Sequence, residues 1–410
     1  MAVESLANRQ QIEQNLRELD PSDSSYATDF VDLLLASSRV ERVSDVHLQP
    51  TDDGLEVRWR LDGVLQLVGR FPRGDAADVV SRLKVLAELL TYRSDAPQEG
   101  RIRQARGNVE IRVSTFPTLH GERAVVRFFA SEGQFLHVHD LNLPREVADC
   151  VQHLLAETSG ALVISGPAGS GKTTTAYACL RELVQQSKGG KSIVSLEDPI
   201  EVAVDQVAQA QVNISSGFDL ASGLRSLMRQ DPEVILVGEI RDHETAEAVF
   251  QAALTGHLVV TTFHAGSAAG AISRISDMGI EPYLLRSGVL AILNQRLVRR
   301  LCHCAQQTQD ESAKLGLAVE QFHIATGCPD CDQIGYKKRA VIAELLLAQP
   351  GAVGRAILSR SDAPRLQELA VQSGMVPLFS RASDAVRAGI TSPAEIRRVF
   401  GFGESSRDSS

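Results

Sequence analysis

The sequence predicts an α/β protein built around a phosphate-binding loop, with a smaller α+β region ahead of it. Three observations carry this. Residues 166–173 read Gly166-Pro167-Ala168-Gly169-Ser170-Gly171-Lys172-Thr173, a complete G-x-x-x-x-G-K-T loop between an apolar stretch and a helix-like run. From 161 to 263, strand-like and helix-like segments alternate, the mark of a parallel sheet. Before residue 130, short alternating segments and a closing hairpin read as a compact α+β unit.

Taken in order, residues 4–18 form a short helix, ended by Pro21-Ser22-Asp23-Ser24-Ser25. A region from 28 to 130 follows, with a helix at 30–35 and strands at 45–48 and 55–60. A turn at Asp62-Gly63 leads to an amphipathic helix at 78–90 and a hairpin of 109–115 and 123–129. Residues 131–148, with Pro144, lack periodicity and read as a linker. The phosphate-loop domain spans 149–299, with strands at 161–165, 192–196, 234–238 and 258–263 and helices at 173–187, 218–229 and 243–254. A cysteine-bearing loop occupies 300–340, helices fill 341–402, and the polar tail 403–410 is expected to be disordered.

The loop fixes the chemistry. Its glycines let successive N–H groups curl around a polyphosphate, and the following helix N-terminus adds a favourable dipole. Gly166 to Thr174 are thus the nucleotide contacts, with Lys172 reaching the β- and γ-phosphates and the Thr173 hydroxyl holding Mg²⁺. Such a site needs a carboxylate at a neighbouring strand end. Val234-Ile235-Leu236-Val237-Gly238-Glu239 supplies Glu239, where ligands of open α/β sheets bind. Gly238 stands where an Asp is usual, so Glu239 is assigned first to water and second to Mg²⁺. Glu197 and Asp198 end another strand. His257 and His264 bracket the strand 258–263; either could meet a γ-phosphate or be satisfied within the core.

Cys302-His303-Cys304 and Cys328-Pro329-Asp330-Cys331 form two close pairs with 23 residues between them. Paired cysteines suit tetrahedral Zn²⁺, and Cys302, Cys304, Cys328 and Cys331 are the candidate ligands; four reduced structural thiols are the alternative. In the hairpin, alternation puts Arg112 opposite the apolar face and sets Arg123 and Arg127 together. Three guanidiniums suit an anionic partner, although a solvated basic face would read the same.

Composition bounds the partners. The 410 residues are 43% hydrophobic and 23% charged, with a net charge of −9. This is a globular composition, and its acidic balance argues against a nonspecific nucleic-acid binder. No apolar run approaches the ~18 residues that span a bilayer. Met1-Ala2-Val3-Glu4-Ser5 has no basic segment leading an apolar one, so a cytoplasmic chain is expected.

Read together, these blocks resemble the secretion ATPases of type II secretion and type IV pilus assembly, the GspE/PilB type. Residues 166–173 match that family's Walker A, and Ser195–Glu201 its Asp box. Leu227 through Asp242 match Walker B, and Thr255–His264 the His box. Ser44-Asp45-Val46-His47-Leu48, Arg60-Leu61-Asp62-Gly63 and Pro97-Gln98-Glu99-Gly100-Arg101-Ile102 extend the match towards the N-terminus. Gly238 then fits, since the family also reads G-E there.

The resemblance implies a RecA-like motor domain preceded by a PAS-like domain, in a homo-hexamer with ATP between neighbours. It implies phosphoryl transfer to water, with Glu239 and Glu197 orienting the water. Arg112 and Arg127 would complete the site, with Arg123 beside them and Arg225 and Arg229 as interface or nucleotide arginines. The partner would be an inner-membrane platform protein, and membrane association would run through partners alone. Many relatives carry a long docking domain where residues 1–27 stand, which leaves the docking route open. The cysteine pairs favour the assembly or secretion branch over pilus retraction. The family's assembly-type members carry C-x-x-C in both pairs, whereas the first pair here is C-x-C. A DNA-translocating motor and a nucleotide-binding regulator without turnover are the alternatives.

Overall fold

The computed structural model describes residues 9–74, 78–102, 111–128, 136–348 and 351–402. Residues 4–8 of the expected first helix, Val109, Glu110 and Phe129 of the hairpin, residues 131–135 of the linker and the tail 403–410 lie outside them. The chain forms two compact units, residues 1–132 and 133–410.

The first unit begins with helices α1 (Arg9–Arg17) and α2 (Tyr26–Val40). In α2, Tyr26, Ala27, Phe30, Val31, Leu34 and Leu35 recur at helical spacing and form its buried stripe. Strands β1 (Asp45–Thr51), β2 (Gly54–Leu61) and β3 (Val64–Phe71) follow. Helix α3 (Val79–Leu86) is capped by Asp78, whose carboxylate accepts from the N–H groups of Val80 and Ser81. Strands β4 (Gln98–Ile102), β5 (Ile111–Thr118) and β6 (Gly121–Phe128) complete an antiparallel sheet in the order β3-β2-β1-β6-β5-β4. Its core joins Ile12, Leu16, Phe30 and Leu34 of the helices to Val46, Trp59, Val113 and Val126 of the strands. The sequence reading found neither β3 nor β4. Gly69 interrupts the pattern of β3, and β4 is almost wholly polar, so only pairing with a neighbour defines it.

The second unit opens with α4 (Arg145–Leu154), which begins inside the expected linker and whose buried Val147 and Val151 pack into the core. Then come β7 (Gly160–Ser165), α5 (Lys172–Ser187), β8 (Ile193–Glu197), β9 (Ala208–Gln211), α6 (Leu220–Leu227) and β10 (Val234–Val237). Helix α7 (His243–Leu254), strand β11 (Leu258–Phe263) and helices α8 (Ala268–Asp277) and α9 (Pro282–Gly288) lead to β12 (Val289–Leu301). The seven-stranded sheet runs β15-β12-β7-β11-β10-β8-β9 and is parallel except at β12–β15, with β15 spanning Tyr336–Leu347. Ala161 and Val163 point into one apolar layer and Leu162 and Ile164 into the other, so β7 is buried on both faces.

Between β12 and β15, the short strands β13 (Gln306–Thr308) and β14 (Phe322–Ile324) pair beside the cysteines. Helices α10 (Ala352–Leu358), α11 (Ala363–Gln372), α12 (Leu378–Arg387) and α13 (Pro393–Phe400) end the described chain. The expected limits at 299 and 341 need correction: both cut the β12–β15 ladder. Leu- and Arg-rich β12 has the composition of a helix, but burial between β7 and β15 overrides that propensity.

Two buried carboxylates tie the C-terminal helices to this ladder. Glu344 of β15 accepts from the first N–H groups of α8 (Ala268, 2.7 Å) and α12 (Leu378, 2.8 Å). Glu395 of α13, fully buried, accepts from the Arg299 backbone (2.8 Å) and from the guanidiniums of Arg299 (2.8 Å) and Arg398 (2.6 Å). Burial pushes the Glu395 carboxyl upward, but the Arg398 and Arg299 hydrogen bonds outweigh it and hold it below the ordinary carboxylate range. Glu395→Ala should therefore cost about 3 kcal/mol at neutral pH, read from denaturant midpoints, because it strands a buried guanidinium. Glu395 contributes its stability fully above the ordinary carboxylate pKa and loses it as pH falls through the lowered one. The difference between wild type and variant should accordingly shrink in acid.

Candidate active site

The phosphate loop hangs between β7 and α5. Gly171 turns into the helix at φ 88°, a left-handed conformation that side chains disfavour. Gly166, at φ 149°, is crowded as well: a Cβ there would lie 2.5 Å from the Gln295 carbonyl oxygen and from Ser170 Oγ. Strand β12 braces the loop from beside β7. Gln295 Nε2 donates to the Ser170 carbonyl (2.8 Å), and its Oε1 accepts from Thr175 Oγ1 (3.0 Å). Asn294 Nδ2 donates to Ser165 Oγ (2.8 Å). Ala168, Gly169 and Thr174 are exposed, Pro167 and Thr173 half-buried, and Ser170 is buried, its hydroxyl without a partner among the described residues. A narrow cradle of N–H groups with a buried hydroxyl at its base fits a polyphosphate.

Lys172, only 8% exposed, folds back on the loop and donates to the carbonyls of Gly166 and Pro167 (both 3.1 Å). Burial lowers its pKa, and the Glu239 charge partly restores it. From Lys172 a chain of contacts crosses the strand ends. Lys172 Nζ lies 3.4 Å from His264 Nδ1, and His264 Nε2 lies 3.0 Å from Glu239 Oε1. Arg241 Nε donates to Glu239 Oε2 (3.2 Å), and Arg241 Nη1 to Asp198 Oδ2 (3.0 Å). Burial first, then the Lys172 charge, hold His264 below the usual imidazole pKa, so it is neutral at pH 7. A neutral ring that accepts from Lys172 and donates Nε2–H to Glu239 satisfies all three groups. The loop, Lys172, His264 and Glu239 thus meet at one end of the sheet.

Other expected residues stand elsewhere. His257 precedes β11, where Leu258 pairs with Gly160, so it lies at the opposite end of the strand from His264, roughly 20 Å away. Its Nδ1 closes the end of α7 on the Ala252 carbonyl (2.9 Å), and it does not reach the phosphate loop. Glu197 also departs from its expected role. It is 4% exposed; Oε1 accepts from Ser195 Oγ (2.5 Å) and Gln209 Nε2 (3.0 Å), and Oε2 accepts from Tyr177. With both oxygens engaged, Glu197 anchors the segment after β8 instead of facing the loop, and Asp198 is the residue that joins the charged chain.

Arg225 and Arg229 are exposed on and just beyond α6, which packs on β8, three strands from β7. Arg229 donates to the Arg225 carbonyl (3.0 Å) and Ser226 Oγ (3.3 Å). In the first unit, Arg112 of β5 pairs with Arg127 of β6 and with Arg101 of β4, while Asp45 of β1 pairs with Arg127 and with Arg60 of β2. Directly paired residues share a face, so four arginines and one aspartate form a row across five strands. Asp45 binds Arg127 Nε at 2.8 Å and Arg60 Nε at 3.4 Å. Arg123 lies on the same face and donates to His47 Nδ1 (2.9 Å).

The four cysteines converge. Sγ–Sγ distances are 3.8 Å for Cys302–Cys328, 3.8 Å for Cys304–Cys331 and 3.7 Å for Cys328–Cys331. A tetrahedron with Zn–S bonds of ~2.3 Å has edges of about 3.8 Å, whereas a disulfide needs ~2.05 Å. The cluster therefore fits a structural zinc. His303, exposed beside it, is not needed as a ligand.

A family profile described as Type II/IV secretion system protein matches residues 20–398. The chain belongs to this family. Among its relatives, the "Type II secretion system ATPase E" of Vibrio cholerae serotype O1 is 38% identical over 95% of this chain and 78% of its own length. The "Type IV pilus assembly ATPase PilB" of Thermus thermophilus is 35% identical over 91% of this chain and 43% of its own. Among solved structures, the Legionella pneumophila ATPase DotB superposes with a TM-score of 0.68 at 21% identity, covering 93% of this chain and 97% of its own. The pilus retraction motor PilT with bound ADP gives 0.60 at 22%, covering 92% and 96%. At these identities the structural likenesses speak to the fold, that of the secretion-family P-loop ATPases.

Sequence reasoning missed Asn294, Gln295 and Tyr177 and covered Arg241 only within the Leu227–Asp242 block. A signal for the first two was present: a polar amide pair inside an apolar strand must have buried partners. Gln295→Ala would leave the Ser170 carbonyl and the Thr175 hydroxyl without this partner. It should lower stability by roughly 1–3 kcal/mol in thermal unfolding and speed amide exchange selectively across residues 166–175.

Proposed function

We propose that this family member is a Mg²⁺-dependent ATPase that works as a cytoplasmic homo-hexamer and powers type II secretion or type IV pilus assembly. An inner-membrane platform protein would be its partner and its route to the membrane. The observation that carries the reading is the convergence of Lys172 and Glu239 through His264 at the mouth of the phosphate loop. In hydrolysis, the loop N–H groups hold the phosphates, and Lys172 leaves its own loop carbonyls to meet the γ-phosphate charge. Glu239 orients the attacking water, and neutral His264 links that carboxylate to Lys172. The Thr173 hydroxyl is the side chain that would hold Mg²⁺ brought with the nucleotide, which would supply positive charge towards the phosphates.

Arg112 and Arg127, with Arg123 beside them, would act as contacts to an anionic phosphate, and Arg225 and Arg229 as interface or nucleotide arginines. Cys302, Cys304, Cys328 and Cys331 hold a structural Zn²⁺ that clamps the ends of β12 and β15.

Lys172→Ala should lose ATP turnover by several orders of magnitude with the fold intact, since it removes a charge partner of the transition state and little packing. Phosphate release near the wild-type rate from a folded Lys172→Ala protein would refute the ATPase reading. Protein prepared without chelator should carry about one Zn²⁺ per chain, and its removal should expose four titratable thiols and lower the melting temperature. No zinc by elemental analysis, with all four thiols already reactive, would return the cysteines to a reduced structural cluster.

A further inference from the structure

Tyr177 lies on α5, five residues beyond Lys172, with its ring buried in the apolar layer. Its hydroxyl makes three hydrogen bonds, all to one short segment. It donates to Glu197 Oε2 and accepts from the backbone N–H groups of Glu201 (3.2 Å) and Val202 (3.4 Å). Packing alone would be served by phenylalanine, and the hydroxyl is the only part of the residue that needs this segment.

The segment is held from its other side too. Gln209 Nε2 donates to Glu197 Oε1 (3.0 Å) and to the Val202 carbonyl (3.1 Å), and Ser195 Oγ fixes Glu197 Oε1. Residues 197–202 are thereby bound into one piece that the Tyr177 hydroxyl ties to α5. Burial first, then the Glu197 charge, raise the Tyr177 pKa, which keeps the hydroxyl a donor at neutral pH.

The same segment contains Asp198, which holds Arg241, which holds Glu239. A continuous path of direct contacts therefore runs from the helix that begins with Lys172 to the carboxylate at the far side of the site. We infer that Tyr177 is a positioning residue for hydrolysis, fixing Glu239 relative to the phosphate loop through Asp198 and Arg241. A displacement of α5 when the loop fills would move the Asp198 segment with it.

The inference rests on the ATPase reading, and Tyr177→Phe tests it while removing one oxygen. The variant should lose about tenfold or more in kcat with KM for ATP within about twofold, since it misplaces a reacting group without touching nucleotide binding. In an Asp198→Asn background, Tyr177→Phe should cost less than about twofold more, because both act through one path. The amides of Glu201 and Val202 should exchange faster in the variant. Unchanged kcat, a change confined to KM, or a loss that multiplies in full with Asp198→Asn would overturn the proposal even if those amides loosen. If Tyr177→Phe fails to fold, Gln209→Leu frees the same segment from its other side and should give the same kcat-specific loss; normal turnover there overturns it equally. If the wild-type protein hydrolyses no ATP, the ATPase reading falls on its own. Exchange at Glu201 and Val202 with ADP added then decides the link: slowing in wild type but not in Tyr177→Phe supports it, and no response to ADP overturns it.

Discussion

Gly166 has no room for a side chain, and much of the second unit follows from that. Its backbone lies against the carbonyl of Gln295 because β12 pairs with β7 in a register that sets Asn294 beside Ser165. The close approach lets the Gln295 amide reach the Ser170 carbonyl and the Thr175 hydroxyl, so one residue of the neighbouring strand fixes both the loop and the first turn of α5. The strand that braces the loop also leads into Cys302 and Cys304. Its partner β15 carries Glu344, which caps α8 and α12. Phosphate loop, cysteine cluster and C-terminal helices therefore share one two-stranded support, and their spacing is set by its register.

Across the strand ends, alternating charge does what a single carboxylate could not. Glu239 is 24% exposed and would be mobile at a strand end, yet His264 and Arg241 take one oxygen each. Arg241 is in turn shared with Asp198. Each group is held by a neighbour of opposite or complementary character, so the water-facing carboxylate is preorganised before any nucleotide arrives. Lys172 is the exception: its partners are carbonyls of its own loop, contacts that a phosphate can replace at little cost.

The parts of this arrangement written in local sequence were legible. A glycine loop between an apolar strand and a helix has few other meanings, and Glu239 at a strand end follows from the parallel order. The parts that depend on pairing were not. His257 and His264 flank the same strand and look equivalent in sequence; only the parallel register with β7 puts one beside the loop and the other at the far edge. Glu197 and Asp198 are adjacent carboxylates, and strand alternation turns the first inward to Tyr177 and leaves the second outside. The β12–β15 ladder was hidden because Leu-rich runs suit helix and buried strand alike, and β4 because a polar edge strand has no pattern of its own. The four cysteines were legible as a cluster, since two tight pairs need only one chain reversal to meet.

The arginine row of the first unit has a consequence for the solvent around it. Arg101, Arg112, Arg127 and Arg60 lie in line with one carboxylate, Asp45, over four strand spacings or about 19 Å. In dilute buffer the Debye length exceeds that span, and each guanidinium feels all the others; at ~0.15 M ionic strength it contracts to about 8 Å and the repulsion becomes local. Ionic strength therefore sets how far along the row the Arg60–Asp45–Arg127 ion pairs are felt.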